Sequence, residues 1–150
     1  MDENGVEVRQ ALDAAEIEAA QQLRLSVFAG EQGVAREADI DGLDPESTHL
    51  VAVRRGSVVG TCRLRFPRGQ CKLERMAVDR SLRRTGIGEA LMREAEREAV
   101  GQGVTEIVLH AQREAEAFYS ACGFVSEGDT FLEEGIPHVQ MRKSLRQATG

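Results

Sequence analysis

Three strand-like runs parted only by short glycine turns commit the middle of this 150-residue chain to an antiparallel meander. Residues 49–54 and 57–66 are separated by Arg55-Gly56, and residues 70–78 follow the turn Pro67-Arg68-Gly69. A two-residue hairpin at Arg68-Gly69 fixes the register. Phe66 then faces Cys71, Leu64 faces Leu73, Cys62 faces Arg75, Arg63 faces Glu74 and Arg65 faces Lys72. One face is mostly apolar. The other carries Arg63, Arg65, Lys72 and Glu74, a set that a sheet covered by helices on both sides tolerates only where it opens onto a polar cleft.

Helical patterns flank the meander. After a short strand over residues 5–10, Asp13 begins a helix with Glu16 three residues on, a capping-box pattern, and Ile17, Ala20, Leu23 and Val27 carry the apolar spacing through Phe28. Residues 31–46 break the pattern with Gly33, Gly42 and the acidic set Glu37, Asp39, Asp41, Asp44 and Glu46, and are expected to form a solvated acidic loop with at most one short helix. A second helix is marked by Ile87, Leu91, Ala95 and Ala99 and stopped by Gly101 and Gly103; a short buried strand follows over 105–109. A third helix shows Ala115, Phe118, Tyr119 and Cys122 on one face, and strands over 124–127 and 137–142 close the chain.

Length and composition narrow the function. One core accounts for 150 residues, and a chain this long buries roughly 70% of the surface it exposes when unfolded. Three cysteines with no C-x-x-C pair argue against a disulfide framework and against a zinc site, and His49, His110 and His138 lack ligand spacing. No metal is expected, and a reducing, cytoplasmic setting fits. No apolar run reaches membrane-spanning length, and Met1-Asp2-Glu3-Asn4 lacks a secretory profile, so no membrane partner is expected. A net charge of -6 argues against a broad nucleic-acid face and suits a cationic substrate.

The chemistry concentrates where the meander ends. Arg83-Arg84-Thr85-Gly86-Ile87-Gly88 joins a strand to a helix through a basic, glycine-containing turn, which aims free N–H groups and the positive end of the helix dipole at an anion. No Gly-Lys-Ser/Thr tripeptide exists, which removes the Walker A class. Leu91 stands where a dinucleotide fingerprint needs Gly or Ala, and that fingerprint would not follow several antiparallel strands.

These residues resemble the GCN5-related N-acetyltransferases (GNAT). The turn matches the family's Q/R-x-x-G-x-G/A pyrophosphate loop, and Leu73-Glu74-Arg75-Met76-Ala77-Val78 resembles its acetyl-CoA strand. Ala117-Phe118-Tyr119-Ser120-Ala121-Cys122-Gly123-Phe124 resembles its tyrosine-bearing helix and Gly-Phe turn. Residues 27–34 and 134–138 are further similar to the ElaA-like branch. The chain departs from many relatives at His110-Ala111-Gln112, where they carry Asn, so that contacts there either fall to Gln112 or are absent.

The resemblance implies a single N-acetyltransferase domain over residues 1–150, with an α/β, three-layer α-β-α fold and a mixed, mostly antiparallel central sheet. It implies acetyl-CoA as co-substrate, held by Met76, Ala77 and Val78 of the strand, by Arg83, Arg84, Thr85, Gly86, Ile87 and Gly88 of the loop, and by Gln112. Direct attack by a primary amine, from a small molecule or a peptide, needs a proton acceptor for the amine and a donor for the thiolate. Tyr119 is the implied donor and Glu74 the candidate acceptor, whose alternative role is a cross-strand pair with Arg63. Glu31, Gln32 and His110 are the candidates for acceptor contact. The family also allows a homodimer through terminal strands, and the rival reading is a non-catalytic acyl-CoA-binding or partner-recognition module on the same fold.

Overall fold

A computed structural model describes residues 5–31 and 41–145. The chain runs β1 (Val6–Gln10), α1 (Ala14–Leu25), β2 (Thr48–Arg54), β3 (Ser57–Arg65), β4 (Cys71–Val78), α2 (Ile87–Gly101), β5 (Glu106–Gln112), α3 (Glu116–Ala121), β6 (Val125–Glu133) and β7 (Ile136–Ser144). The strands form one sheet in the order β1-β2-β3-β4-β5-β7-β6. Among the described strands only the β4–β5 pairing is parallel.

The meander forms as its turns dictate. Arg68 (φ 53°, ψ 38°) and Gly69 (φ 78°) both take positive φ, and the Gln70 N–H donates to the Pro67 carbonyl at 3.0 Å, the geometry of a type I′ hairpin. Arg63 accordingly faces Glu74, Leu64 faces Leu73 and Arg65 faces Lys72. The expected Cys62–Arg75 pair does not form. Between Thr61↔Ala77 and Arg63↔Glu74, β4 spends one residue more than β3, and Arg75 sits in this bulge at φ 57°.

At the N-terminus of α1 the Asp13 carboxylate accepts from the Glu16 N–H at 3.0 Å. The returning arm of the capping box is displaced by one residue, since Glu16 accepts from the Leu12 N–H at 2.8 Å while also gripping Arg9. The α-helical repeat stops at Leu25, and Ser26–Glu31 continue as a π-turn that carries Phe28. The expected single helix through Phe28 is therefore two segments.

Alternation along the strands separates two faces. Cys62, Leu64, Cys71, Leu73, Ile107 and Leu109 join Ile87, Leu91, Ala95 and Ala99 of α2 and Phe124 in one buried cluster. A Cβ at Gly60 would lie 2.8 Å from Ile87 and 3.1 Å from Leu91, so glycine there lets α2 lie directly on β3. The opposite face carries Thr61, Arg63 and Arg65 of β3 and is covered by α1, whose Arg24 is buried with Arg63. The expected opening onto a polar cleft is met at Glu74, whereas the rest of the charged face is covered. Arg63, 1% exposed, is held by Asp41, Asp44 and Glu74, and Asp44 also binds Arg24 at 2.9 Å and Gln21 at 3.0 Å. The face tolerates a helix because its charges are paired with one another. Asp41, still exposed, and Asp44, half-buried, thus cap the buried Arg63 and Arg24, whereas the acidic stretch was expected to be a purely solvated loop.

Candidate active site

β4 and β5 pair only at Cys71–Leu73 against Ile107–Leu109 and then part. The bulge at Arg75 turns β4 away, while β5 stays in register with β7 as far as Gln112↔His138. The gap is a cleft of about 180 Å³. Its lining draws on both faces of the sheet. Leu73, Leu109, Ala111 and Tyr119 come from the face packed on α2 and α3, and Glu74, His110 and Gln112 from the face under α1. The cleft therefore passes through the sheet. Beyond Leu73 no described strand pairs with the β5-side edge of β4, which leaves that edge of the Glu74–Val78 stretch to a ligand.

Tyr119 is 8% exposed and packs edge-on against Phe118 (5.0 Å between centroids) and Phe124 (6.0 Å). Among the described residues its hydroxyl has no hydrogen-bond partner. Burial, with Cys62 and Cys122 adding to it, raises its pKa well above the ordinary value, so that it holds its proton at neutral pH. Cys62 and Cys71 are buried, and burial pushes the Cys71 thiol up to about 12, which suits neither for nucleophilic attack.

Glu74 lines the cleft but is spoken for. Its carboxylate accepts from Arg63 Nε at 3.0 Å, and Arg65 binds it with Nε at 3.1 Å and Nη2 at 2.6 Å. Burial opposes its charge, yet the bonds from Arg65 and Arg63 prevail and hold its pKa at about 2, down from 4.5. A carboxylate so stabilised is a poor proton acceptor, and the geometry favours the cross-strand pair over the base.

The loop before α2 is exposed. Arg83 Nε donates to the Val78 carbonyl at 3.2 Å, Thr85 Oγ1 donates to the Leu82 carbonyl at 2.5 Å, and Arg84 takes φ 65°. Gly86 stands at the N-cap of α2 with φ 91°, no side chain caps the helix, and the space a Cβ would occupy is empty. These features fit an anionic phosphate group. Gly88 differs: a Cβ there would lie 3.0 Å from the Phe118 ring, so this glycine serves helix packing. Ile87 and Ala77 are buried, and Met76 and Val78 pack against the core.

Of the residues expected to meet the acceptor, His110 lines the cleft. Gln32 lies outside the described residues, and Glu31 ends the π-turn. Gln112 also lines the cleft, still within β5, which runs three residues past its expected end at Leu109. Sequence reasoning missed Phe28, Glu133 and His138 as cleft residues. The last two are brought in by the β6–β7 hairpin, whose turn residues Glu134 and Gly135 both take positive φ. The Glu134-Gly135 dipeptide was the available signal.

A split between two parallel strands, a basic loop at a helix start beside one of them and a buried tyrosine on the wall define an acyl-CoA-dependent transferase site. The model of the acetyltransferase (GNAT) domain matches residues 12–145, and the chain belongs to that family. It is an acetyltransferase enzyme that moves an acyl group from acyl-CoA. The chain is 40% identical over 122 residues to the uncharacterized N-acetyltransferase YjcF of Bacillus subtilis, covering 81% of this chain and 87% of YjcF. Among solved structures it is similar to an acyl-CoA N-acyltransferase from Pseudomonas aeruginosa, at 33% identity and TM-score 0.80 over 92% of this chain and 97% of that one. It is also similar to Escherichia coli ElaA, at 25% identity and TM-score 0.82 over 92% and 99%. The expected three-layer fold with a mixed sheet and the expected ElaA-like character both stand.

Proposed function

We propose that the cleft transfers the acetyl group of acetyl-CoA to a primary amine by direct attack, with Tyr119 as the acid. The carrying observation is the position of Tyr119: a buried ring whose hydroxyl, without a partner among the described residues, stands on the wall of a cleft that passes through the sheet. The C–N bond forms as the C–S bond breaks, and the departing thiolate takes the Tyr119 proton. The unpaired edge of β4 offers Met76 and Val78 backbone groups to the pantetheine arm and the thioester carbonyl, with the Val78 carbonyl also accepting from Arg83. Free N–H groups at the start of α2, with Arg83 and Arg84, suit the pyrophosphate. Gln112 borders the cleft on the β5 side.

The acceptor would enter from the α1 face, where Phe28, Glu133 and Glu134 line the cleft and favour a cationic amine over an acid. A soluble, cytoplasmic enzyme is consistent with this chemistry, and no helix among the described residues is long and apolar enough to cross a membrane. The test is acetyl-CoA turnover, read as free thiol, against a panel of alkylamines, polyamines, aminoglycosides and peptide amino termini, beside a calorimetric titration with CoA. Thiol release that depends on one amine class supports the reading. Micromolar CoA binding with no release across the panel would instead favour the non-catalytic module.

A further inference from the structure

With Glu74 committed to two arginines, the proton acceptor must lie elsewhere in the cleft. We propose that His110 takes the proton from the incoming ammonium through its Nε2, and that Glu133, bridging His110 and His138, is the residue that positions it. The proposal rests on the acetyl-transfer reading above.

The hairpin register builds the cluster. Gln112, His138 and Phe131 stand opposite one another across β5, β7 and β6, and His110 lies two residues from Gln112 on the same face of β5. Glu133 lies two residues from Phe131 on the same face of β6. Its Oε1 is 3.0 Å from His110 Nδ1, and its Oε2 is 3.5 Å from His138 Nε2. Phe131 meets the His110 ring edge-on at 5.0 Å and lies near-parallel to the His138 ring at 6.1 Å, which fixes both planes.

Hydrogen-bond chemistry then assigns the roles. An ionised carboxylate only accepts, so His110 Nδ1 donates to Glu133, and in the neutral ring Nε2 carries the lone pair. His138 Nδ1 faces the Ile136 carbonyl at 2.7 Å and must donate there, which pins that ring. The charged and titratable groups around His110 are Glu74 and Arg75 on β4, Glu133 and Glu134 on the hairpin, His138 on β7 and Tyr119 on α3. Glu74 belongs to Arg63 and Arg65, and Arg75 binds Asp41 at 3.2 Å. Among the described residues Glu133 contacts no charged or titratable partner other than these two histidines, which become ion pairs with it only on protonation, so it is the carboxylate that answers the charge His110 acquires.

The division across the sheet gives the proposal its sense. Tyr119 sits on the α2 and α3 face and His110 on the face under α1, so donor and acceptor of protons flank the thioester from opposite sides. Of the two protons the ammonium surrenders, one leaves to solvent by way of His110. The other restores the proton that Tyr119 gives to sulfur.

Two measurements test this. In protein labelled with ¹⁵N-histidine, long-range proton–nitrogen correlation should show His110 with its proton on Nδ1 at neutral pH, and Glu133→Gln should abolish that preference. A parent ring protonated on Nε2 alone overturns the proposal. In turnover, His110→Gln should lose about 10²-fold in kcat/KM with ethylamine at neutral pH while CoA affinity holds. With 2,2,2-trifluoroethylamine, whose nitrogen is already neutral, the deficit should shrink at least tenfold. Glu133→Gln should shift the pH profile of kcat/KM without changing CoA affinity. Equal deficits with both amines, or parent-like rates in a folded His110→Gln protein, overturn His110 as base and leave acetyl transfer standing. No thiol release by the parent with any amine of the panel overturns the underlying reading itself.

Discussion

Replacing Tyr119 by Phe removes one oxygen and leaves the ring that fills the core. Tyr119 stands among Phe118, Phe124 and the apolar cluster, and no described group bonds its hydroxyl, so no buried partner is orphaned by the change. Stability should therefore stay within about 0.5 kcal/mol of the parent. The catalytic cost is set by the leaving group. A thiol with a reference pKa near 8.5 ends protonated at pH 7, favoured overall by roughly 2 kcal/mol, and a positioned donor supplies that proton as the C–S bond breaks before being reprotonated itself. Loss of that donor should lower kcat by roughly 10² to 10⁴, equivalent to about 3 to 5 kcal/mol of barrier. The sign with pH follows from burial: with its pKa raised, the hydroxyl stays protonated through the neutral range, so the parent keeps its rate to higher pH than an ordinary tyrosine would allow. The basic limb it produces should vanish in Tyr119→Phe. Steady-state thiol release across pH, with CoA titration and a thermal melt on the same preparation, checks all three. Parent-like kcat in a folded Tyr119→Phe protein would reduce Tyr119 to packing and leave water as the acid.

The two loop glycines should behave differently. Gly86→Val forces a branched residue to φ 91° but meets no neighbour, so the fold should survive a loss of about 1 to 2 kcal/mol while CoA affinity, read by calorimetry, falls at least tenfold. Gly88→Val drives a side chain into Phe118 and should cost about 1 to 3 kcal/mol in urea denaturation before any ligand is added. Arg63→Met strips the buried cluster of its central cation and should cost about 3 to 5 kcal/mol at pH 7. The Glu74 pKa is depressed in the folded state, so its contribution is present above the unfolded value of 4.5 and is lost as pH falls towards about 2. The whole depression corresponds to about 3 kcal/mol as an upper bound, part of which Arg65 retains in the variant. Parent and Arg63→Met denaturation midpoints should accordingly converge between pH 5 and about 2; a constant gap would show that the cluster acts by packing alone.

Much of the fold was legible because it is locally encoded. Arg68-Gly69 dictates a turn type, the turn type dictates a register, and Arg63 meets Glu74 as that register requires. The uncapped start of α2 is equally local, since Gly86 and a basic turn stand next to one another in the chain. Local rules failed where the outcome depended on partners distant in sequence. Nothing within β3 says that Arg63 will be buried. That depends on Asp41 and Asp44 closing over it from 22 and 19 residues away. The strand ends were misjudged for the same reason: His110 and Gln112 remain in β5 because β7 pairs with them, and β7 is placed there by the Glu134-Gly135 turn.

The bulge in β4 joins these two scales. A non-glycine residue at positive φ costs about 1 to 3 kcal/mol and persists only where its surroundings hold it. Arg75 takes φ 57° with its guanidinium bound to Asp41, whose carboxylate is in turn held by Arg63. The buried ion cluster is thereby tied to the residue at which β4 turns from β5. The parting of those strands opens the sheet, and the opening is what allows Tyr119 from one face and His110 from the other to border a single cleft. The charged face of the meander opens onto the cleft at Glu74, as expected, and otherwise acts one step removed: its arginines occupy Glu74 and brace the bulge. That leaves proton transfer from the amine to the hairpin side of the cleft, where Glu133 bridges two histidines and, among the described residues, meets no arginine.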